Sequence, residues 1–151
     1  MRESILALLL LLSPALPSAA AEPPSPAKDA NGMRTYQLGF LTRGERWTPA
    51  QTDETRAIQA GHLAHIEAMA RTGKLILAGP FLYAPEDGEQ ILRGIFLFDV
   101  ADRAEAQALA AEDPAVKAGR LKIEFRTWYG PFGITYEEHA KYFPGAPGGK
   151  P

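Results

Sequence analysis

The chain has 151 residues, of which 46% are hydrophobic, and these values are typical of one globular domain. Its 16 Lys and Arg residues against 18 Asp and Glu residues give a formal net charge of −2, which does not favour nucleic acid or an acidic membrane surface as a partner. The sequence contains no cysteine, and this excludes disulfides, thiol catalysis, cysteine metal ligands and a lipid-modified N-terminal cysteine.

The N-terminus has the features of a secretory signal peptide, which we predict to be residues 1–21. Arg2 supplies a positive charge, residues 5–12 form a short apolar run, and residues 18–21 are the small residues that a signal peptidase requires. Cleavage after Ala21 would place the mature protein in the periplasm or outside the cell, without a membrane contact. An uncleaved signal anchor is the alternative, although the apolar run is short for a stable membrane span.

Composition divides the remaining chain into three parts. Residues 22–33 are rich in proline, alanine and polar residues, which predicts a disordered tether. We expect the folded domain to occupy residues 34–131. In the tail, residues 132–151, Thr135 and Glu138 have the spacing that caps a short helix, and the Gly- and Pro-rich end predicts disorder.

The first two predicted elements of the domain are a strand and a long helix. Residues 35–41 alternate in the manner of a β-strand. Thr48 followed by Pro49 matches a helix N-terminus, with the threonine as N-cap and the proline in the first turn. We expect the main helix to be formed by residue 55, to run to residue 72, and to end at Gly73 in a left-handed conformation.

Three further strands and a second helix follow. We predict a buried strand at 74–81, a turn at 85–88, an antiparallel strand at 91–100 and a last strand at 121–129. Asp102 caps the intervening helix, and Pro114 ends it. The order βαββαβ predicts an α+β fold of the ferredoxin-like type, with both helices on one face of a four-stranded antiparallel sheet.

The predicted strand at 91–100 has apolar residues on both faces of the sheet. Ile95 and Leu97 point to one side, whereas Phe96 and Phe98 point to the other. Two helices cover only one face, so the second face requires another layer. We therefore predict a homodimer in which two sheets pack face to face, as in dimeric α/β barrels.

Helical periodicity places a histidine on the face of the main helix that packs against the sheet. At about 100° per residue, Ile58, His62, Ile66 and Met69 share a narrow face, while His65 lies at its edge. Such a histidine is either a core residue bonded to a backbone carbonyl or a reactive group that faces a pocket. The periodicity leaves both interpretations open.

Two segments of the chain resemble the YCII (YciI-like) family: residues 62–81 (HLAHIEAMARTGKLILAGPF) and residues 112–121 (EDPAVKAGRL). In that family a histidine opens the helix motif, a Gly-Pro pair ends the second strand, and an Asp-Pro pair follows the second helix. The resemblance extends over residues 36–131 and implies that His62 and Asp113 form a catalytic pair.

The resemblance also implies acid/base chemistry on a small molecule, without a cofactor. An enzymatic relative is a dehydrochlorinase acting on a chlorinated hydroxyhydroquinone, and the fold resembles that of muconolactone isomerases and cofactor-free monooxygenases. His62 would take a proton from a phenol or an activated carbon, while Asp113 would hold the other ring nitrogen. Many family members have an Arg-Pro-Ala triplet before the histidine, and this chain has Gln59-Ala60-Gly61 instead.

Other interpretations of these residues remain. Asp113, before a proline, is also a typical helix stop whose side chain caps the following turn. His62 and His65 have the spacing i and i+3, which would allow a shared ion with Asp113 or Glu67, but zinc-binding helices place their histidines four apart. We therefore expect no metal, and we predict that His65 lines the mouth of the pocket and contacts the substrate.

The last strand carries a second group of candidate binding residues. Arg126 and Trp128 share one of its faces and would hold an anionic aromatic ligand by ion pairing and stacking. The alternative is that both are interface or surface residues. Arg93, Tyr36 and Trp47 are less specific candidates of the same kind.

Two functional hypotheses follow from the sequence. The first is an exported, homodimeric, cofactor-free enzyme of the lyase, isomerase or dehydrochlorinase type that acts on a small organic molecule. The second is a non-catalytic periplasmic domain that binds a small ligand or only dimerises. No serine lies in a recognisable nucleophile motif, so covalent acyl chemistry is not expected.

Overall fold

Four strands and three helices build the part of the chain that the computed structural model describes, residues 27–83 and 91–134. In chain order they are β1 (Met33–Arg43), α1 (Asp53–Arg71), β2 (Leu75–Pro80), β3 (Leu92–Phe98), α2 (Arg103–Ala111), α3 (Pro114–Lys117) and β4 (Leu121–Pro131). The predicted signal peptide, the turn at 85–88 and the helix predicted from Thr135 lie outside the described residues.

The strands form one antiparallel sheet with the order β2-β3-β1-β4. β1 lies in the interior of the sheet and pairs with β4 along its whole length, from Met33 opposite Pro131 to Arg43 opposite Leu121. This topology confirms the predicted α+β, ferredoxin-like fold. Among the described helices, none is long and apolar enough to cross a membrane.

The main helix begins later than its sequence predicts, and the prediction of Thr48 as its N-cap is wrong. Thr52 is the N-cap, and it forms a capping box in which Thr52 and Thr55 each accept a hydrogen bond from the other's backbone N–H. Thr48 instead accepts a bond from the backbone N–H of Ala50, at 3.1 Å. The end of the helix is as predicted, because Gly73 has a φ of +76°.

Pro114 begins a helix instead of ending one, which corrects a second prediction. α2 ends at Ala111, and Asp113 is the N-cap of the short helix α3. Proline suits the first position of a helix because its missing N–H has no intrahelical partner there. The turn between α2 and α3 thus brings Asp113 into the interior, where its side chain is fully buried.

The sheet has apolar clusters on both faces. The larger cluster lies between the sheet and the helices and includes Met69, Leu75, Phe96, Phe98 and Phe125. The smaller cluster, on the other face, consists of Tyr36, Ile76 and Leu97, with Leu38, Leu77 and Ile134 packed against it. Tyr36, Ile76 and Leu97 are already buried in the single chain. Part of this second face is therefore shielded from solvent without a second subunit.

Candidate active site

His62 and Asp113 are joined by a buried hydrogen bond. His62 lies on α1, and its Nδ1 is 2.7 Å from Oδ2 of Asp113. The exposed fractions of the two residues are 8% and 0%. When Asp113 is ionised and His62 is neutral, Nδ1–H donates to the carboxylate and Nε2 carries the lone pair, because an ionised carboxylate only accepts.

Asp113 is held by the start of α3. Its second carboxylate oxygen, Oδ1, accepts a hydrogen bond from the backbone N–H of Ala115 at 2.7 Å. From the sequence, a helix-capping role and a bond to His62 are alternative interpretations of this residue. A single side chain satisfies both, because one oxygen serves the helix and the other serves the histidine.

The histidine forms part of the wall of a cavity of about 640 Å³. The wall is largely apolar and includes Leu41 and Ile66 as well as Phe96. The Phe96 ring stacks on His62 with 6.1 Å between centroids and an interplanar angle of 20°. This volume lies in the range typical of small-molecule sites, so the arrangement combines a proton-accepting nitrogen with room for a ligand.

His65, which the sequence predicts to contact the substrate, makes a hydrogen bond to a backbone carbonyl. His65 Nε2 donates to the backbone carbonyl of Leu109 at 2.9 Å, which links α1 to α2. His65 is not part of the cavity wall. Within the residues that the structure describes, no group of three potential metal ligands comes together, and the two histidines have separate partners.

Arg126 and Trp128 lie on the sheet face opposite the helices. Arg126 pairs with Leu38 and Trp128 with Tyr36 across the β1–β4 ladder, and both partners belong to the smaller apolar cluster. The Trp128 ring packs against Tyr36 with 5.7 Å between centroids. The structure therefore does not bring these two candidates to the cavity at His62.

The cavity wall also contains Trp47 and Arg93, which the sequence offers only as less specific candidates. Strict alternation along β3 would place Arg93 on the same face as Ile95. The register of β3 shifts, however, since Leu41 pairs with Gly94 and the next residue of β1 pairs with Leu92. Arg93 is the extra residue of β3 at this bulge, and its guanidinium lies over the Trp47 ring. A glycine inside a strand, here Gly94, is the sequence signal for such a bulge.

Comparison with known proteins gives a family and a structural relative. The sequence pattern of the YCII-related domain matches residues 43–127, which is more than half of the chain. A similar solved structure is 5-chloro-2-hydroxyhydroquinone dehydrochlorinase from Burkholderia phenoliruptrix in complex with 2,5-dihydroxybenzoquinone. Its identity is 20%, the match covers 62% of this chain and 92% of that one, and the TM-score is 0.46. No curated protein matches the sequence.

Proposed function

Because the chain belongs to the YCII-related domain family, we propose that it is an acid/base enzyme in which His62 is the base and Asp113 orients it. The observation that carries the proposal is the buried hydrogen bond of 2.7 Å between these residues at the wall of the cavity. A carboxylate that is hydrogen-bonded to Nδ1 of an imidazole fixes the tautomer of the ring. It also stabilises the imidazolium that forms when Nε2 takes a proton.

In the proposed scheme, this pair moves the proton. His62 Nε2 takes a proton from an acidic O–H or C–H of the ligand, and Asp113 remains ionised. In an elimination, the electron pair left behind forms a double bond and expels a leaving group, such as chloride, from the neighbouring carbon. In an isomerisation, the imidazolium returns the proton to a different carbon. Reactions of the lyase, isomerase or dehydrochlorinase type fit this scheme.

The shape of the cavity supports a small, aromatic-derived substrate. Phe96 and His62 both line the cavity, and their rings lie almost parallel, at 20°. Apolar side chains such as Leu41 and Ile66 complete much of the wall and would exclude water around a bound ring. In this proposal a planar substrate binds against these apolar side chains, with its acidic proton near Nε2 of His62.

Turnover of a pool of phenols, lactones and chlorinated hydroxyhydroquinones tests the proposal. His62→Ala removes the base, and we expect kcat/KM to fall about 10²- to 10⁴-fold. Asp113→Asn keeps the cap on Ala115, but its amide N–H donates to Nδ1 and moves the imidazole proton to Nε2, so we expect a loss of similar size. Glu112→Gln, the exposed neighbouring carboxylate that pairs with Lys117, is the matched control and should retain activity.

Full turnover by His62→Ala would overturn the catalytic role of the pair. If no compound is turned over, but one of them raises the melting temperature of the wild-type protein and of His62→Ala equally, the chain is a small-ligand-binding domain instead.

We further propose that the protein forms a homodimer through the sheet face that carries the smaller apolar cluster. Leu38 and Leu77 remain only partly buried on this face, and Trp128 is 39% exposed. Light scattering at micromolar concentration should give twice the mass of one chain, and Trp128→Arg should weaken the association. A monomeric wild-type protein would contradict this proposal.

We also propose that the protein is exported and that the mature chain begins at Glu22. Support comes from the positive charge, short apolar run and small residues of the predicted signal peptide, residues 1–21. Intact-mass measurement of the protein from its native host should show a chain that begins at Glu22. A mass that includes Met1 would contradict export by a cleaved signal.

A further inference from the structure

Three arginines surround a single tryptophan beside the cavity. The guanidinium carbons of Arg43, Arg93 and Arg120 lie 5.4, 4.8 and 5.2 Å from the centroid of the Trp47 ring. Each distance is within the range of a cation–π contact. The indole is thus held in a cationic environment at the wall of the cavity that also contains His62.

The three arginines have different positions relative to that cavity. Arg120 donates to the backbone carbonyl of Thr48 at 3.0 Å and so fixes the segment that carries Trp47. Arg43 lies at the end of β1, next to the same ring. Of the three, Arg93 alone belongs to the described cavity wall, where the bulge in β3 directs it. Arg93 is therefore the cation that a bound ligand meets.

In the part of the wall that the structure describes, Arg93 meets no residue of opposite charge. Among the described residues that line the cavity, none is Asp or Glu, and Asp113, behind His62, is engaged by His62 and Ala115. A guanidinium at the wall of a largely apolar cavity loses hydration, and a ligand of opposite charge compensates for that loss. The planar fork of an arginine matches the two oxygens of a carboxylate, and an aromatic ring packs against an indole in offset or edge-to-face geometry.

We propose that the ligand of this cavity is a small aromatic carboxylate, whose carboxylate pairs with Arg93 and whose ring packs against Trp47. This inference rests on the proposed function only where it treats the ligand as the substrate of His62. The anion site itself is a binding property, and it is testable without turnover.

Benzoate and benzamide, which have nearly the same shape but differ in charge, are suitable probes. The chain contains two tryptophans, Trp47 at the cavity and Trp128 on the opposite sheet face, so the indole N–H signals in a nitrogen–proton NMR spectrum report on each place separately. The variant Trp128→Phe assigns the two signals. We expect benzoate to shift the Trp47 signal and leave the Trp128 signal in place, with benzamide binding about tenfold more weakly or worse.

Variants of Arg93 decide whether its charge causes that preference. Arg93→Gln should abolish the preference for benzoate over benzamide, and Arg93→Lys should keep part of it, because the charge remains while the planar fork is lost. Arg71→Gln, at the far end of α1, is the matched control and should bind as the wild type does. The ratio of the two affinities is measured on one sample, so partial loss of folded protein does not change it.

The outcomes separate this inference from the proposed function. Equal affinity for benzoate and benzamide in the wild type, or an unchanged preference in Arg93→Gln, would overturn the anion site even if His62 proves catalytic. A shift of the Trp128 signal instead of the Trp47 signal would overturn it as well. A preference that Arg93→Gln removes supports the site even if no turnover is found.

Discussion

Gly61 on α1 faces the ring of Pro114 at the start of α3. A Cβ atom at position 61 would lie 3.1 Å from Cγ and 3.3 Å from Cβ of that proline. These two residues directly adjoin the proposed catalytic pair, since His62 follows Gly61 and Asp113 precedes Pro114. The missing side chain thus allows the two helices to approach closely enough for the hydrogen bond between His62 and Asp113.

Gly61→Ala should lower activity with little change in stability. Alanine favours the helix by about 1 kcal/mol relative to glycine, but its Cβ presses on Pro114 and separates α1 from α3. We expect kcat/KM to fall several-fold while the free energy of unfolding stays within about 1 kcal/mol of the wild type. Enzyme kinetics and denaturant unfolding measure the two effects.

A control on the same helix separates geometry from helix stability. Ala64→Gly, at an exposed position, should lower the free energy of unfolding by about 1 kcal/mol and leave kcat/KM unchanged. If Gly61→Ala is as active as the wild type, the spacing between α1 and α3 does not control the position of His62.

Removing the Asp113 carboxylate should destabilise the fold as well as the site. Asp113→Ala deletes the cap on Ala115 and leaves Nδ1 of the buried His62 without its partner. A lost N-cap and an unsatisfied buried donor together cost about 2 to 4 kcal/mol. Denaturant unfolding should show this loss for Asp113→Ala and a smaller one for Asp113→Asn, which can still accept from Ala115. Equal stability of Asp113→Ala and the wild type would contradict a structural role for the carboxylate.

Short-range signals predicted much of the fold. The N-cap of α2, where the Glu105 backbone N–H donates to Asp102, is a local feature, and so is the left-handed Gly73 after α1. The sequence therefore predicts both helix ends correctly. The start of α1 was harder because several residues near it are able to cap a helix. The reciprocal bonds between Thr52 and Thr55 satisfy two backbone donors there.

The arrangement of the candidate site depends on long-range pairing and on a register shift, which the periodicity of apolar residues in the sequence does not reveal. The pairing of His62 with Asp113 came from the family resemblance, because the two residues are 51 positions apart and on different helices. Alternation along a strand assumes an unbroken register, so it did not place Arg93 at the cavity. Trp47 lies between β1 and α1, in a segment without regular structure, where no period predicts its direction.

His65→Ala should lower stability, because His65 connects two helices. Its Nε2 donates to the carbonyl of Leu109 at 2.9 Å and ties α1 to α2. Loss of a single hydrogen bond of this kind costs about 1 kcal/mol, which denaturant unfolding can measure. Unchanged stability together with weaker binding of benzoate would instead support the ligand contact that the sequence predicts for His65.

Tyr129 on β4 contacts Asp29 in the turn that precedes β1. The Tyr129 hydroxyl donates to Oδ2 of Asp29, whose Oδ1 accepts from the backbone N–H of Met33 and of Asn31, both at 2.9 Å. The hydrogen bond from Tyr129, followed by the bond from Met33, lowers the pKa of Asp29 below its ordinary value. The same contact raises the pKa of Tyr129.

The signs of these shifts define a pH window. A lowered carboxyl pKa contributes stability above about pH 4 and loses it as the pH falls, whereas a raised phenol pKa contributes below about pH 10 and loses it as the pH rises. Tyr129→Phe should therefore raise the pKa of Asp29 toward its ordinary value in an NMR titration of the carboxyl carbon. Because both groups are exposed, the change in overall stability should be small. An unchanged Asp29 titration in the variant would show that the turn at 29–32, which the sequence assigns to the tether, is not held by β4 in solution.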